Sequence, residues 1–225
     1  MLKLVTAILA IMCALGVIST ANAAQFGRQL CDQADYTCLK VARGQTWRSL
    51  FPDDNDRMIV KKVNRMNTSL RAGMIIAVPK NLNNVNLLDL SPLPHQGTPS
   101  SVMVDLSDLA WGAYDSNGKL INWGPVSGGK NYCPDVGRGC KTLTGNYTFY
   151  RKQGAGCVSS KFPIPRGGAP MPYCMHFRGG YAMHASATVP GYNASHGCVR
   201  MFYEDAQWLN LNFVNVGRTQ VRIIP

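Results

Sequence analysis

The sequence predicts a mainly β protein with some helix, of the α+β class. From Val102 onward, short runs of β-branched and aromatic residues alternate with turn-forming residues. In this half only 204–211 has convincing helical spacing, because residues 205, 208 and 211 share one side. Before residue 80 the patterns follow the order strand, helix, helix, strand. A content of 22 glycines and 13 prolines is typical of a fold with many turns.

The predicted strands of the C-terminal half are short. They cover residues 102–106, 109–114, 120–123, 146–150, 181–184 and 219–224. The sequence Asp-Ser-Asn-Gly at 115–118 predicts a hairpin turn between two of them. In the N-terminal half, strands are expected near 37–42 and 74–78, and Thr46 is a candidate N-cap for the first helix between them.

Composition and charge restrict the class of protein. The 225 residues are 46% hydrophobic and 16% charged, which excludes a disordered chain and a long coiled coil. The 23 basic side chains outnumber the 12 acidic ones, for a net charge of +11. Such a balance favours an anionic partner, and at this stage nucleic acid, acidic lipid and a carboxylate-rich cell wall all remain open.

The first 23 residues have the features of a signal peptide. A lysine at position 3 precedes an apolar run, and Ala-Asn-Ala at 21–23 provides the small residues that signal peptidase reads. The alternative is a membrane anchor, but the apolar run is short for a span and no second one follows. Cys13 is not preceded by the small residue expected before a lipidated cysteine. We therefore expect export to the periplasm or cell envelope, with cleavage after Ala23 and no transmembrane segment afterwards.

Because an exported protein meets an oxidising environment, the seven cysteines after the signal peptide are candidates for disulfide bonds. Pairing neighbours along the chain would join Cys31 to Cys38, Cys133 to Cys140 and Cys157 to Cys174, leaving Cys198 as the free thiol. Sequence alone does not fix this connectivity, and a bridged Cys198 with another free cysteine is the alternative.

A proline-rich stretch marks a domain boundary. Residues 81–100 contain three prolines and no long periodic segment, which indicates a linker. We therefore divide the mature chain into an N-terminal segment at 24–35, a small module at 36–80, this linker, and a second domain at 101–225.

The second domain contains a long stretch of one charge sign. Between Asp135 and Glu204 no carboxylate side chain occurs. This favours an anionic ligand, and it would also favour a thiolate over a thiol. The alternative is ordinary surface basicity. The basic residues are Arg138, Lys141, Arg151, Lys152, Lys161, Arg166, Arg178 and Arg200.

Within that stretch lie the residues of a cysteine nucleophile site. Cys198 needs a base, which His184 or His196 can provide, and donors for an oxyanion, which the N–H groups of Gly197 and Cys198 can provide. With no nearby acid in sequence, the carbonyl of Ala185 is a candidate to orient the base. The alternatives are a buried structural thiol or a zinc site formed by the two histidines and Cys198, although zinc hydrolysis usually needs an acidic base. His176 is expected to be structural.

These residues resemble a known family. Ser-His-Gly-Cys-Val-Arg at 195–200, with His184 at the end of a β-rich run, is similar to the signature of the L,D-transpeptidases, or YkuD domain family. The similarity extends over about 125 residues, through Val-Ser-Gly-Gly at 126–129 and Thr-Leu-Thr-Gly at 142–145. Leu143 stands where many members have proline, and Ala185 stands where glycine or serine is frequent.

The resemblance implies a YkuD-type β-rich catalytic domain and roles for its residues. Cys198 would attack the carbonyl of the third residue of a peptidoglycan stem, release D-alanine and form a thioester that an amine resolves. His184 would be the general base. His196 and Gly197 would form part of the oxyanion and substrate loop, which Ser195 shapes, and Arg200 would contact a substrate carboxylate. Neither a cofactor nor a metal ion is expected. The thiol should also be acylated by the ring carbonyl of a carbapenem.

The small module resembles a second family. Val-Ala-Arg-Gly-Gln-Thr-Trp at 41–47 and Leu-Arg-Ala-Gly-Met at 70–74 are similar to a LysM module, a βααβ fold that binds glycans containing N-acetylglucosamine. The resemblance implies glycan binding by residues 36–80, although a spacer that keeps only the shape is the alternative. Trp47 is equally consistent with a core residue and a sugar platform.

Together these features predict an exported cysteine L,D-transpeptidase that remodels peptidoglycan and has no nucleic acid partner. The acceptor amine is another stem or an envelope protein, giving a cross-link or an anchored protein. Water as acceptor would instead make the protein an L,D-carboxypeptidase. From a different class, the alternative is a non-catalytic peptidoglycan-binding protein of the envelope.

Overall fold

A computed structural model describes residues 25–225, so the predicted signal peptide and Cys13 lie outside the described residues. The N-terminal part comprises α1 (Gln25–Leu30), β1 (Tyr36–Lys40), α2 (Trp47–Leu50), α3 (Asp54–Val63) and β2 (Ile75–Pro79). The rest comprises β3 (Ser101–Asp105), β4 (Ala110–Tyr114), β5 (Leu120–Ser127), β6 (Gly145–Thr148), β7 (Arg151–Lys152), β8 (Met175–Arg178), β9 (Tyr181–Ala185), β10 (Val199–Met201), α4 (Tyr203–Trp208) and β11 (Gln220–Ile224).

One nine-stranded mixed sheet forms the larger part of the molecule. Its strand order is β6-β11-β3-β4-β5-β10-β9-β8-β7. β11 pairs parallel with β3, and β10 pairs parallel with β9 but antiparallel with β5. The main core lies on one face of this curled sheet, where α4 adds Ala206 to fully buried side chains such as Trp111, Phe149 and Met183. The mainly β, α+β prediction is therefore confirmed.

The strands not predicted from the sequence are all short. β7, β8 and β10 have two, four and three residues. A run of this length is too short to show the alternation that identifies a strand. α4 ends earlier than the predicted helix at 204–211, because the chain continues as a π-helical turn over Leu209–Phe213.

The N-terminal part has the predicted order of strand, helix, helix and strand. β1 and β2 form an antiparallel pair. Thr46 caps α2 through reciprocal hydrogen bonds with Ser49, and Asp53 caps α3 by accepting from two backbone N–H groups. Trp47 is buried in the core of this part, where its indole Nε1 donates to the carbonyl of Thr68 at 2.7 Å. Trp47 is thus a core residue and not an exposed sugar platform.

The stretch at 81–100, expected to be a linker, is itself folded onto the large sheet. It contains two 3-10 turns, Leu82–Asn84 and Leu87–Leu90. Leu93 is buried against Tyr114 and Trp123, and the indole of Trp123 donates to the carbonyl of Leu87. This stretch connects the two parts by apolar packing rather than as an extended tether.

A buried ion pair joins the N-terminal part to the large sheet. Lys62 of α3 and Asp205 of α4 are each 5% exposed, and the Lys62 ammonium lies 2.7 Å from the Asp205 carboxylate. The same ammonium donates to the carbonyl of Trp123 at 2.9 Å. Burial raises the pKa of Asp205, and Lys62 opposes that rise. The charge of Lys62 is therefore what compensates the buried carboxylate of Asp205.

Gly124 gives this ion pair its space. A methyl group on its Cα would collide with the carboxylate of Asp205 and come within 2.8 Å of the indole Nε1 of Trp111. Strand β5 thus needs a residue without a side chain where α4 and the N-terminal part meet.

Three disulfides are present, and they join neighbouring cysteines in sequence order. They are Cys31–Cys38, Cys133–Cys140 and Cys157–Cys174. Within residues 25–225, Cys198 is the one free cysteine. No helix in this range has the length and apolar character needed to cross a membrane.

We predict that Lys62→Met destabilises the folded protein by about 3–5 kcal/mol at pH 7, since it leaves the Asp205 carboxylate buried without its partner. The loss should shrink as the pH is lowered, because burial already raises the pKa of Asp205 and a protonated carboxyl carries no charge. Urea unfolding at pH 7 and pH 5 measures both effects. A matched control is Lys61→Met, which removes a neighbouring half-buried lysine outside the ion pair. An equal loss in both variants would contradict the prediction.

Candidate active site

The register between β9 and β10 brings the predicted reacting residues to one face of the sheet. Arg200 pairs with His184, and Val199 pairs with Met183. Because side chains alternate across a strand, His184 and Arg200 share a face, while Met183 and Val199 enter the core on the other. Cys198 lies just before β10 on the same face, where it packs with Ala182.

The turn at Ser195–Cys198 is held in a conformation that requires glycine. Gly197 has a φ of 121°, in a region that residues with side chains avoid. A methyl group there would also lie 2.6 Å from the ring of Tyr181. Ser195 closes the turn by donating from its Oγ to the carbonyl of Cys198, at 2.5 Å, and by accepting from the N–H of Gly197 at 3.0 Å. Ser195 therefore shapes the turn.

Residues of the two flanking motifs hold this turn in place. The Thr142 hydroxyl donates to the carbonyl of Gly197 at 2.8 Å and accepts from the N–H of Gly129 at 2.8 Å. The N–H of Ser195 donates to the carbonyl of Gly128 at 2.8 Å. The motifs at 126–129 and 142–145 thus position the nucleophile turn, and Leu143 is exposed and takes no part in these bonds.

His184 is a buried, neutral imidazole with a fixed orientation. It is 7% exposed, and its Nδ1 lies 2.8 Å from the carbonyl of Ala185. Since a carbonyl only accepts, Nδ1 carries the proton and Nε2 has the free lone pair. Burial lowers the pKa of His184 to about 4, the bond to Ala185 opposes this, and the charge of Arg200 adds to it. At neutral pH this imidazole can accept a proton at Nε2.

Cys198 is a neutral thiol in the resting protein. It is half-buried beside the Cys157–Cys174 disulfide, and its Sγ lies 3.7 Å from the carbonyl of Gly180. Burial raises the pKa of the Cys198 thiol, although a backbone hydrogen bond from Ala182 and the charge of Arg200 lower it in part. The expectation that the carboxylate-free stretch would favour a thiolate is therefore wrong, since desolvation outweighs the nearby positive charge.

The two predicted oxyanion donors differ in availability. The N–H of Gly197 already donates to Ser195 Oγ at 3.0 Å. It is therefore not available for an oxyanion in this structure. The N–H of Cys198 has no acceptor among the hydrogen bonds of residues 25–225. Cys198 thus supplies the better placed donor, and Gly197 must exchange its partner to become the second.

His196 contacts an acidic residue that sequence reasoning missed. Its Nε2 lies 2.8 and 2.9 Å from the two carboxylate oxygens of Asp135, and its ring centroid lies 4.7 Å from that of Phe162. The hydrogen bond from His196 lowers the pKa of Asp135. Asp135 lies inside the short loop closed by the Cys133–Cys140 disulfide. An acidic residue in such a loop was the one feature of the sequence that could have pointed to this contact. His196 is therefore engaged away from Cys198, and His184 is the better candidate base.

The basic stretch contributes one cation to the site and uses others structurally. Arg200 is half-buried on the face of Cys198, with Nη1 3.4 Å from the carbonyl of Thr188. The Lys152 ammonium instead donates to the carbonyls of Asn210 and Val214. Arg151 lies 3.0 Å from Nε2 of His176. Arg200 is thus placed for an anionic ligand at the site, whereas Lys152 and Arg151 make contacts within the fold.

The metal-ligating atoms that come together are not those weighed from sequence. Cys133, Asp135 and His196 place theirs within 4.8 Å of one another. The sulfur of Cys133 is bonded to Cys140, so it is not a thiolate ligand. Buried His176 lies on the site face but one strand further away, paired with Ala182.

Comparison with known proteins identifies the family of the chain. Residues 99–223 match the L,D-transpeptidase catalytic domain family, YkuD, so the chain belongs to that family and is an L,D-transpeptidase, a class of peptidoglycan-modifying enzyme. The family match does not include residues 36–80. No curated protein sequence matches the chain.

Solved structures of L,D-transpeptidases are similar to the chain, and the first of those below shares its fold. An L,D-transpeptidase from Xylanimonas cellulosilytica is 24% identical, with a TM-score of 0.55 over 74% of this chain and 78% of that one. One from Mycobacterium smegmatis is 20% identical, with a TM-score of 0.44 over 55% and 58%. A mutant of the Enterococcus faecium enzyme is 20% identical, with a TM-score of 0.48 over 56% and 50%.

We predict that acylation of Cys198 loses rate in acid only near pH 4. Neutral His184 is the form that accepts the thiol proton, and its pKa of about 4 keeps it neutral well below the ordinary value of 6.5. Arg200→Gln should move this acid limb to higher pH, because the guanidinium contributes to the lowered pKa. Adduct formation with a carbapenem, followed by intact mass between pH 3.5 and 8, measures the profile. A limb near 6.5 in the wild-type protein, with its circular dichroism unchanged, would contradict the assignment.

Proposed function

We propose that this protein is an exported L,D-transpeptidase in which Cys198 is the nucleophile and His184 the general base. The observation that carries the proposal is the pair of neutral groups on one sheet face, with His184 fixed through Ala185 so that its free nitrogen accepts a proton. Three disulfides support export, because such bonds persist in oxidising compartments such as the periplasm.

The first half-reaction forms a thioester. His184 Nε2 takes the proton of the Cys198 thiol as its sulfur attacks the carbonyl of the third residue of a tetrapeptide stem. The N–H of Cys198 stabilises the oxyanion of the tetrahedral intermediate. When the intermediate collapses, the peptide bond breaks and the proton on His184 moves to the nitrogen of the departing D-alanine. The neutral resting state suits this step, since the thiolate forms only as attack proceeds.

The second half-reaction transfers the acyl group to an amine. His184 is neutral again after the first step, so it accepts a proton from the incoming amine as that amine attacks the thioester. The Cys198 sulfur leaves and recovers a proton from His184. The thioester conserves the free energy of the broken peptide bond, so a new amide forms without ATP. The acceptor is another stem or an envelope protein.

Arg200 is the proposed contact for a donor carboxylate. Its guanidinium lies on the same face as Cys198 and makes no ion pair within residues 25–225. A planar guanidinium can bind a carboxylate with two parallel hydrogen bonds. Ser195, Gly197 and His196 support the site by shaping the turn that carries the nucleophile.

We predict that a diaminopimelate-containing tetrapeptide and an amine acceptor yield a new amide through an acyl-Cys198 intermediate. Cys198→Ala should abolish adduct and product, since no other free thiol lies in residues 25–225. His184→Ala should slow both half-reactions by about a hundredfold or more, and Arg200→Ala should mainly raise the KM for the donor. Mass spectrometry of protein and products decides the outcome. Tripeptide alone with abundant acceptor would indicate a carboxypeptidase, and a folded enzyme without adduct would indicate a non-catalytic protein.

Residues 36–80 are proposed to bind glycan strands, in keeping with their LysM-like sequence. The loops after β1 and before β2 lie side by side, because the N–H of Gly73 donates to the carbonyl of Val41 and the N–H of Val41 donates to the carbonyl of Met74, each at 2.8 Å. Both loops are largely exposed, with Ala42 and Ala72 among their exposed residues. They therefore offer a continuous surface for a sugar chain.

We predict that Ala72→Gln weakens binding to oligomers of N-acetylglucosamine, because the longer side chain obstructs the surface without changing charge. Thr37→Gln, on an exposed position of β1 outside these loops, is the matched control and should bind normally. Calorimetric titration with chitohexaose measures the affinity. Absence of binding by the wild-type protein would indicate that the module acts as a spacer, and equally tight binding by both variants would place the glycan outside these loops.

A further inference from the structure

A cleft of about 1000 Å³ lies between the N-terminal part and the catalytic domain, beside the contacts that join them. This volume matches pockets that hold ligands of a few hundred daltons. One wall is formed by α3, and the other by the residues that follow β9 and begin α4. The residues that matter for a ligand are Met58 and Lys61 on the first wall, and Ala185, Thr188, Phe202 and Glu204 on the second.

Direct contacts fix the distance between the two walls. Asn67 donates its side-chain amide to the carbonyl of Ser186 at 2.8 Å and accepts from the N–H of Val189 at 2.9 Å. The backbone N–H of Asn67 donates to the carbonyl of Val189 at 2.9 Å. The buried pair of Lys62 and Asp205 ties α3 to α4 as well. The cleft is thus preformed and needs no movement of one part against the other.

Two residues that line the cleft also contact residues of the candidate active site. Ala185 lines it, and the carbonyl of the same residue orients His184. Thr188 also lines it, and the carbonyl of Thr188 lies 3.4 Å from Nη1 of Arg200. A substrate that extends from Cys198 past Ala185 and Thr188 would therefore enter the cleft.

Lys61 is the cation that the cleft offers to a ligand. The guanidinium of Arg57 is occupied by the carbonyls of Phe51 and Pro52 and by Asp54. Lys61 is half-buried and forms no ion pair within residues 25–225. Burial lowers its pKa, and the charge of Glu204 across the cleft opposes this without contact. A carboxylate bound at Lys61 would offset the cost of burying its charge, because a nearby opposite charge favours the ammonium form.

We propose that this cleft binds the peptide stem of the acyl acceptor, with the terminal carboxylate of the stem at Lys61. The proposal rests on the proposed function. Met58, Pro170 and Phe202 give the cleft apolar walls that suit a short peptide, and Glu204 faces a stem ammonium. The N-terminal part thereby contributes a substrate contact in addition to any role in localisation. A glycan chain is the competing occupant.

Binding is measured by calorimetric titration of the full-length Cys198→Ala protein, which cannot be acylated, with a tripeptide stem as ligand. Lys61→Met should weaken the affinity about tenfold, as expected for one charged contact, and Lys61→Arg should retain most of it. Lys80→Met removes an exposed lysine outside the cleft and should change nothing. A stem amidated at its C-terminus lacks the carboxylate, so its affinity for the Lys80→Met protein should be about as low as that of the free acid for the Lys61→Met protein. The affinity of the amidated stem should not fall further in the Lys61→Met protein.

Kinetics separate this proposal from the proposed function. In the active enzyme, Lys61→Met should raise the KM for the acceptor about tenfold and leave the rate of Cys198 acylation by the donor unchanged. Equal slowing of donor acylation would assign the cleft to the donor and overturn the proposal. Equal binding of a disaccharide without peptide, with equal loss in Lys61→Met, would assign it to glycan and overturn it as well. Absence of any acyl-enzyme would refute the proposed function, while the calorimetric result would still decide whether the cleft binds the stem.

Discussion

The register between β9 and the three-residue strand β10 determines where the proposed reacting groups lie. Pairing Arg200 with His184 sends both side chains to the face of Cys198 and sends Val199 and Met201 into the core. A shift of one residue would exchange the two faces and bury the charged and reacting side chains among apolar ones. Burial of Val199 and Met201 therefore specifies the catalytic arrangement as well as the fold.

Desolvation, rather than local charge, sets the chemical state of the site. The thiol and the imidazole both lie where burial disfavours their charged forms, which raises the pKa of Cys198 and lowers that of His184. The nearby Arg200 acts on both groups, since it favours the thiolate and disfavours the imidazolium. The site is thus built for proton transfer that accompanies attack and not for a preformed ion pair. Such a state protects the thiol from oxidation, because thiolates react faster than thiols.

Much of the fold and part of the candidate site can be predicted from the sequence. The features that cannot be predicted share a physical cause. Cys198, His184 and the Ala185 carbonyl were predictable because they lie in one short segment whose chemistry is specific. The contact of His196 with Asp135 joins residues 61 apart, and that of Lys62 with Asp205 joins residues 143 apart. Neither pair leaves a local pattern. The direction of the Cys198 pKa was mispredicted because sequence reveals charge but not burial.

The ion pair between α3 and α4 also limits which N-terminal modules can be joined to this catalytic domain. A foreign glycan-binding module grafted in place of residues 36–80 would meet a surface that contains the buried carboxylate of Asp205 and the space above Gly124. Unless the graft brought a lysine to the same point, the hybrid would have an uncompensated charge in its interior. The N-terminal part therefore cannot be exchanged independently, and residues of its helix α3 and of helix α4 in the catalytic domain are constrained to change together.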